Sequence, residues 1–143
     1  VQDPGNLGAI LRTAAAAGAD GVVLSADGTA GLTAATVRAS AGTAAKLPIA
    51  RESKPARFVE SMKEAGYRAV ALDPRAERAW DEAELEGPLL LAAGGEERGL
   101  RPAVRRACNQ TVAIPLAAGI DSLNVAVATG VLLFEALRRR RRP

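Results

Sequence analysis

The chain has 143 residues, 48% of them apolar and only 3% aromatic, which suits one domain with an aliphatic core. It has no histidine and one cysteine, Cys108, which excludes Ser-His-Asp and Cys-His nucleophile pairs, most catalytic zinc arrangements and an internal disulfide. The net charge is +3, yet five of the 19 bases lie in Arg138–Arg142; the remaining 14 face 16 acids, so a nucleic-acid partner must be argued from a local patch.

The arginine run is the one dense patch, and it reads equally well as a solvated chain end. Without histidine beside it, Cys108 reads as a core residue. No apolar run reaches the ~18 residues of a membrane span, and the N-terminus lacks the order of a signal peptide; a cytoplasmic protein is expected. The chain begins on Val1 rather than methionine, which suggests a piece of something longer.

In chain order, Asp3-Pro4-Gly5 is turn chemistry and Asn6 a helix cap ahead of Leu7–Ala14. Leu7, Ile10, Leu11 and Ala14 form one stripe, while Arg12 points roughly 140° away from Leu7. Gly8 lies one turn before Arg12 on its face, where a missing side chain leaves room for a ligand or another chain to approach. Gly18 ends the helix; residues 21–25 read as a buried strand and 33–40 as a second helix. Lys46–Ala50 reads as a strand near an edge because of Pro48. Pro55 opens a helix over 56–65, Gly66 stops it, and Arg68–Leu72 is the next strand, halted by Asp73-Pro74.

Residues 75–86 are charged and weakly periodic, a connecting turn or short helix holding Trp80, which either packs or stacks on RNA. Residues 88–93 are a continuous apolar run of strand length, expected at the centre of a parallel sheet. A basic helix over 100–108 and a strand over 111–115 follow. The last helix, 122–139, is apolar around nearly its whole circumference, so it is buried on more than one side. One domain offers one side; a two-fold partner subunit offers the other. Alternating strands and helices make an α/β domain with a mostly parallel sheet and helices on both faces.

The chemistry-bearing stretch runs from Gly94 to Ala128. Gly94 and Gly99 have the glycine spacing of a P-loop, but Leu100-Arg101 stand where Lys and Ser or Thr belong, and no Gly-x-Gly-x-x-Gly follows a strand. What remains is a glycine-rich turn with Glu96, coming off a strand where open α/β sheets bind ligands.

Three segments carry a specific likeness: Asn6-x-Gly8-x-x-x-Arg12-Thr13; Gly94-x-Glu96-x-x-Gly99-Leu100; and Ile114-Pro115-Leu116 with Ser122-Leu123-Asn124-Val125-x-Val127-Ala128. In this order they resemble the motifs of the SpoU-type RNA 2′-O-ribose methyltransferases of the SPOUT superfamily, and Asn124–Leu137 is most similar to the bacterial subgroup that methylates a guanosine of 23S ribosomal RNA. Leu116 stands in place of the usual methionine, a volume-conserving change, and Ala126 in place of a common serine. The resemblance implies S-adenosylmethionine as cofactor, a C-terminal trefoil knot, RNA as substrate, an obligate homodimer and no metal. It also implies a first strand and often an N-terminal RNA-binding domain before Asp3. The cofactor is expected at Gly94, Gly95, Ile114, Leu116, Ser122 and Leu123.

Arg12 matches the family's catalytic arginine. A guanidinium stays protonated and is a poor base, so it is expected to hold a phosphate and stabilise the developing alkoxide. Asn6, Ser122 and Asn124 are expected to fix ribose hydroxyls and cofactor, and Glu96 to orient Arg12 or Asn6. Capping is the structural alternative for Asn6 and Ser122. A rival class is a non-catalytic RNA-binding or dimerisation module of the same fold; a nucleotide- or flavin-binding domain lacks any phosphate fingerprint.

Overall fold

The computed structural model describes residues 1–141, which cluster into two compact units, residues 1–54 and residues 55 onward. In the first unit, helix α1 (Pro4–Ala16) precedes strand β1 (Val22–Ser25), helix α2 (Ala34–Ala39) and strand β2 (Ile49–Glu52). β1 and β2 pair in parallel, Val22 opposite Ile49 and Ser25 opposite Glu52. The start of α1 differs from the sequence reading. Asp3 is its N-cap, with a carboxylate oxygen accepting from the Asn6 amide at 2.8 Å, and Pro4 opens the helix. An acidic cap followed by proline is itself a start signal, so Asn6 falls inside the first turn.

Leu7, Leu11 and Ala14 are buried as the stripe requires, Ile10 is half-buried, and Arg12 is exposed. Gly8 corrects the reading of open space beside the helix. A Cβ there would lie 2.4 Å from the Ala39 Cβ and 2.7 Å from the Thr36 carbonyl oxygen, so glycine lets α2 pack directly on α1. β2 begins later than expected because Thr43–Lys46 forms a 3-10 turn. Pro48 has no backbone N–H to donate, but its carbonyl accepts from Val22 at 2.9 Å and starts the parallel ladder.

The second unit holds α3 (Pro55–Glu64), β3 (Arg68–Leu72), β4 (Leu89–Ala93), α4 (Pro102–Ala107), β5 (Gln110–Val112) and α5 (Val125–Arg140). Its sheet runs β4-β3-β5, all parallel. β4 is therefore at an edge of this sheet and β3 in the middle. An apolar run reports cover on both faces, and says nothing of rank in the sheet.

Alternation along β3 divides the core. Ala69 and Ala71 face Val59 of α3 and Val104 and Ala107 of α4. Val70 faces Leu132 and Ala136 of α5, with Ala83, Leu85 and a half-buried Trp80. Trp80 thus packs. Helices cover both faces of this sheet, as expected for the α/β class.

Among the described residues no helix is long and apolar enough to cross a membrane. Gly8→Ala should cost about 1–3 kcal/mol by overpacking α1 on α2, read as a lower thermal midpoint. A Gly8→Ala protein of unchanged midpoint would contradict the close packing.

Candidate functional site

Parallel strands end together, and here the register makes that literal. Leu72 pairs with Ala93 on one side and Val112 on the other, so the loops beginning at Asp73, Gly94 and Ala113 leave one edge of the sheet at one level. The loop after β3 then doubles back. Ala113 donates to the Arg78 carbonyl at 2.9 Å and Trp80 donates to the Ala113 carbonyl at 2.8 Å. Beside this pairing lies a cleft of about 430 Å³, walled by residues 74 and 76–79 on one side and by 113–116, Ile120 and Asp121 on the other.

Of the six residues expected at the cofactor, Ile114 and Leu116 line this cleft, while Gly94, Gly95, Ser122 and Leu123 are not among its walls. Gly94 is needed for a different reason: a Cβ on it would sit 2.0 Å from the Gly99 carbonyl carbon. The turn closes on itself, with Gly99 donating to the Gly95 carbonyl at 3.0 Å and adopting φ +62°. Glu96 is exposed on that turn.

Ser122 and Leu123 are exposed in the stretch before α5. Asn124, rather than Ser122, caps α5, its side-chain oxygen accepting from Ala126 at 2.9 Å and Val127 at 3.2 Å. In the first unit, Asn6 is half-buried and Arg12 exposed. The sequence reading missed the wall at 74 and 76–79, including Glu77 and Arg78; the signal was Asp73-Pro74 stopping β3 at the same edge as the other two loops.

Asp73, 4% exposed, begins that wall. It accepts from Arg75 at 3.1 and 3.2 Å and from Arg105 of α4 at 2.9 Å. The Arg75 hydrogen bond foremost, outweighing burial, holds its carboxyl down to about 2. Glu135, in the buried stripe of α5, is likewise held at about 2, mainly by Arg138 at 2.6 and 2.7 Å and with help from Arg139 at 2.7 Å. Burial pushes the Cys108 thiol up to about 11, which suits a core residue.

The arginine run is largely engaged within its own unit. Arg138 and Arg139 hold Glu135, Arg139 also donates to the Ala83 and Asp81 carbonyls, and Arg140 donates to the Gly87 carbonyl at 2.9 Å. Arg142 lies outside the described residues.

A parallel α/β sheet with its cleft beyond the strand carboxyl ends, and a glycine turn at the same edge, defines a domain built to bind an organic ligand there. The family model described as the SpoU rRNA Methylase family matches residues 1–134, and the chain belongs to that family. It is 42% identical to a 23S rRNA (guanosine-2'-O-)-methyltransferase of Shewanella oneidensis over 99% of this chain and 57% of that protein. An AdoMet-bound rRNA methyltransferase from Sinorhizobium meliloti superposes with a TM-score of 0.88 at 38% identity, over 99% of this chain and 54% of the other. A structure concerned with 2-OH methylation of C/U34 on tRNA gives a TM-score of 0.83 at 33% identity, over 97% of this chain and 90% of that one. The chain spans about half the length of the curated relatives it matches.

The two depressed carboxyls set an acid limit. With folded values near 2 against ordinary values of 3.8 and 4.5, their stabilisation is fully present above about pH 5, declines as pH falls, and is gone below about 2. Urea midpoints measured from pH 7 to pH 2 should trace this loss. Asp73→Asn should flatten the acid limb and cost about 1–3 kcal/mol at pH 7, less than a deeply buried pair because Arg75 is solvent-exposed. An unchanged limb would remove Asp73 from the balance.

Proposed function

We propose that the chain carries the catalytic part of an S-adenosylmethionine-dependent enzyme that methylates a ribose 2′-hydroxyl in RNA, with 23S ribosomal RNA as the substrate. The observation that carries this reading is the cleft at the carboxyl edge of the sheet, walled by Ile114 and Leu116 of the family motif. The residues fit the cofactor. At about 430 Å³ the cleft is in the range of small-ligand sites, with an apolar wall for a purine and two carboxylates, Glu77 and Asp121, for positive charge. Gly94, Gly95, Ser122 and Leu123 complete the contacts from the adjoining loops.

When bound, S-adenosylmethionine supplies a sulfonium methyl for in-line displacement. The chain's own residues prepare the oxygen. Arg12, exposed on α1, holds a neighbouring phosphate through its guanidinium and stabilises negative charge as the hydroxyl loses its proton. Ser122 and Asn6 hydrogen-bond ribose hydroxyls, and Glu96 orients a donor. Asn124 fixes the start of α5 through two backbone bonds and so places Ser122 and Leu123.

The same reading carries the trefoil knot, a cytoplasmic setting and a two-fold homodimer. One observation supports the dimer. Opposite the buried stripe of Thr129, Leu132 and Ala136, α5 exposes Val127 and Phe134 along one line, at 55% and 48%. A tRNA substrate is the second reading, favoured by the neighbour concerned with tRNA, 90% of whose length this chain covers.

Calorimetric titration should give a heat signal with S-adenosylmethionine, and no binding would falsify the enzyme reading. Arg12→Ala should abolish methylation, with at least a 100-fold loss, and leave cofactor affinity within about threefold; retained turnover would assign the chemistry elsewhere. Mapping 2′-O-methyl sites in cells with and without the full-length protein distinguishes ribosomal RNA from tRNA. Phe134→Asp should convert a sedimenting dimer to monomer, whereas a wild-type chain that is monomeric at micromolar concentration would remove the dimer.

A further inference from the structure

The segment between β3 and β4, residues 73–88, has two halves with different surroundings. Its first half is one wall of the cleft, residues 74 and 76–79. Its second half has little regular structure, a 3-10 turn at Trp80–Glu82 and then irregular chain, and its carbonyls need donors. The end of α5 supplies them. Arg139, with its side chain 16% exposed, donates to the Ala83 carbonyl and to the Asp81 carbonyl at 2.6 Å, and it pairs with Glu86 at 3.4 Å. Glu135, one turn back on α5, fixes the same guanidinium at 2.7 Å. The other wall of the cleft, 113–121, leads directly into the Asn124 cap at the opposite end of α5.

We infer that Arg139 is a positioning residue for the cofactor cleft: by clasping Asp81 and Ala83 it ties one wall to the helix whose start is set by the other, and so fixes the spacing between them. The clasp works through geometry that arginine has and lysine lacks. One planar guanidinium reaches two carbonyls and two carboxylates, Glu135 and Glu86, at once, while an ammonium, with three donors on a single nitrogen, can hold only part of that set. The run of arginines at the chain end therefore acts on the ligand site through the protein, in addition to whatever charge it presents to solvent.

This rests on the proposed cofactor reading, and the test separates the two. Calorimetric dissociation constants for S-adenosylmethionine are measured for the wild-type chain, Arg139→Lys, Arg139→Gln and Asn109→Ala, well below each thermal midpoint. Asn109 accepts from the Ala69 amide at 2.7 Å near the opposite, amino ends of the strands, and its loss serves as a destabilised control. The expected order of affinity is wild type, then Arg139→Lys weaker by threefold or more, then Arg139→Gln weaker by tenfold or more. Asn109→Ala should lose stability and bind within twofold of wild type.

If both Arg139 variants bind like wild type, or weaken no more than Asn109→Ala at equal loss of midpoint, the residue is merely structural and the inference is overturned. Should Arg139→Gln not fold, Arg139→Lys decides alone. A wild-type chain that binds no S-adenosylmethionine refutes the cofactor reading itself, whereas wild-type binding with indifferent variants refutes only the clasp.

Discussion

The pairing of Leu72 with both Ala93 and Val112 is the constraint on which the candidate site depends. Antiparallel neighbours would send alternate loops to opposite ends of the sheet; parallel ones must deliver every following loop to the same edge. Once the register is level, the chain after each strand begins beside the chain after its neighbour, and the loops after β3 and β5 wall one cleft. Asp73 then keeps the first loop in place, because a buried carboxylate that accepts from both Arg75 and Arg105 joins the end of β3 to α4. The cleft beyond β3 and β5 follows from these two facts.

Elements whose limits are set by local chemistry were legible from the sequence. Arg68–Leu72 is a strand between a helix-ending glycine and Asp73-Pro74, and it is found with those bounds. Pro55 opens α3 and Gly66, at φ +94°, ends it. Where several residues could do one job, local chemistry could not choose. Asp3 and Asn6 are both good caps, as are Ser122 and Asn124, and in each pair the structure uses the one the sequence reading did not select. The choice depends on where the backbone leaves its extended conformation, which is set by packing of the helix rather than by the cap alone.

Gly8 and β4 were misread for a related reason. A glycine one turn before an arginine on the same helix face is consistent with open space and with a tight helix crossing; only the position of Ala39 decides between them. A continuous apolar strand is consistent with the middle of a sheet and with an edge. In both cases the missing information is the identity of a neighbour distant in sequence. The motif residues themselves were visible because their spacing is specific, but the wall at 74 and 76–79 has no such spacing; Asp73-Pro74 marks only where it starts, and its pairing with Ala113 makes it a wall.

The arginine run makes the same point about charge. Five consecutive arginines suggest a polyanion, yet the chain also carries Asp81, Glu82, Glu84 and Glu86 within six residues, some fifty positions earlier. Opposite charges that meet within a fold are lost to an outside partner, and irregular chain with unsatisfied carbonyls competes for guanidinium donors as effectively as carboxylates do. Here Arg139 is taken up by Glu135, Glu86 and two carbonyls, Arg138 by Glu135 and Arg140 by the Gly87 carbonyl. Dense charge in a sequence therefore marks a need for counter-charge or acceptors without saying who supplies them, and in this protein the first supplier is the segment that also forms a wall of the cleft.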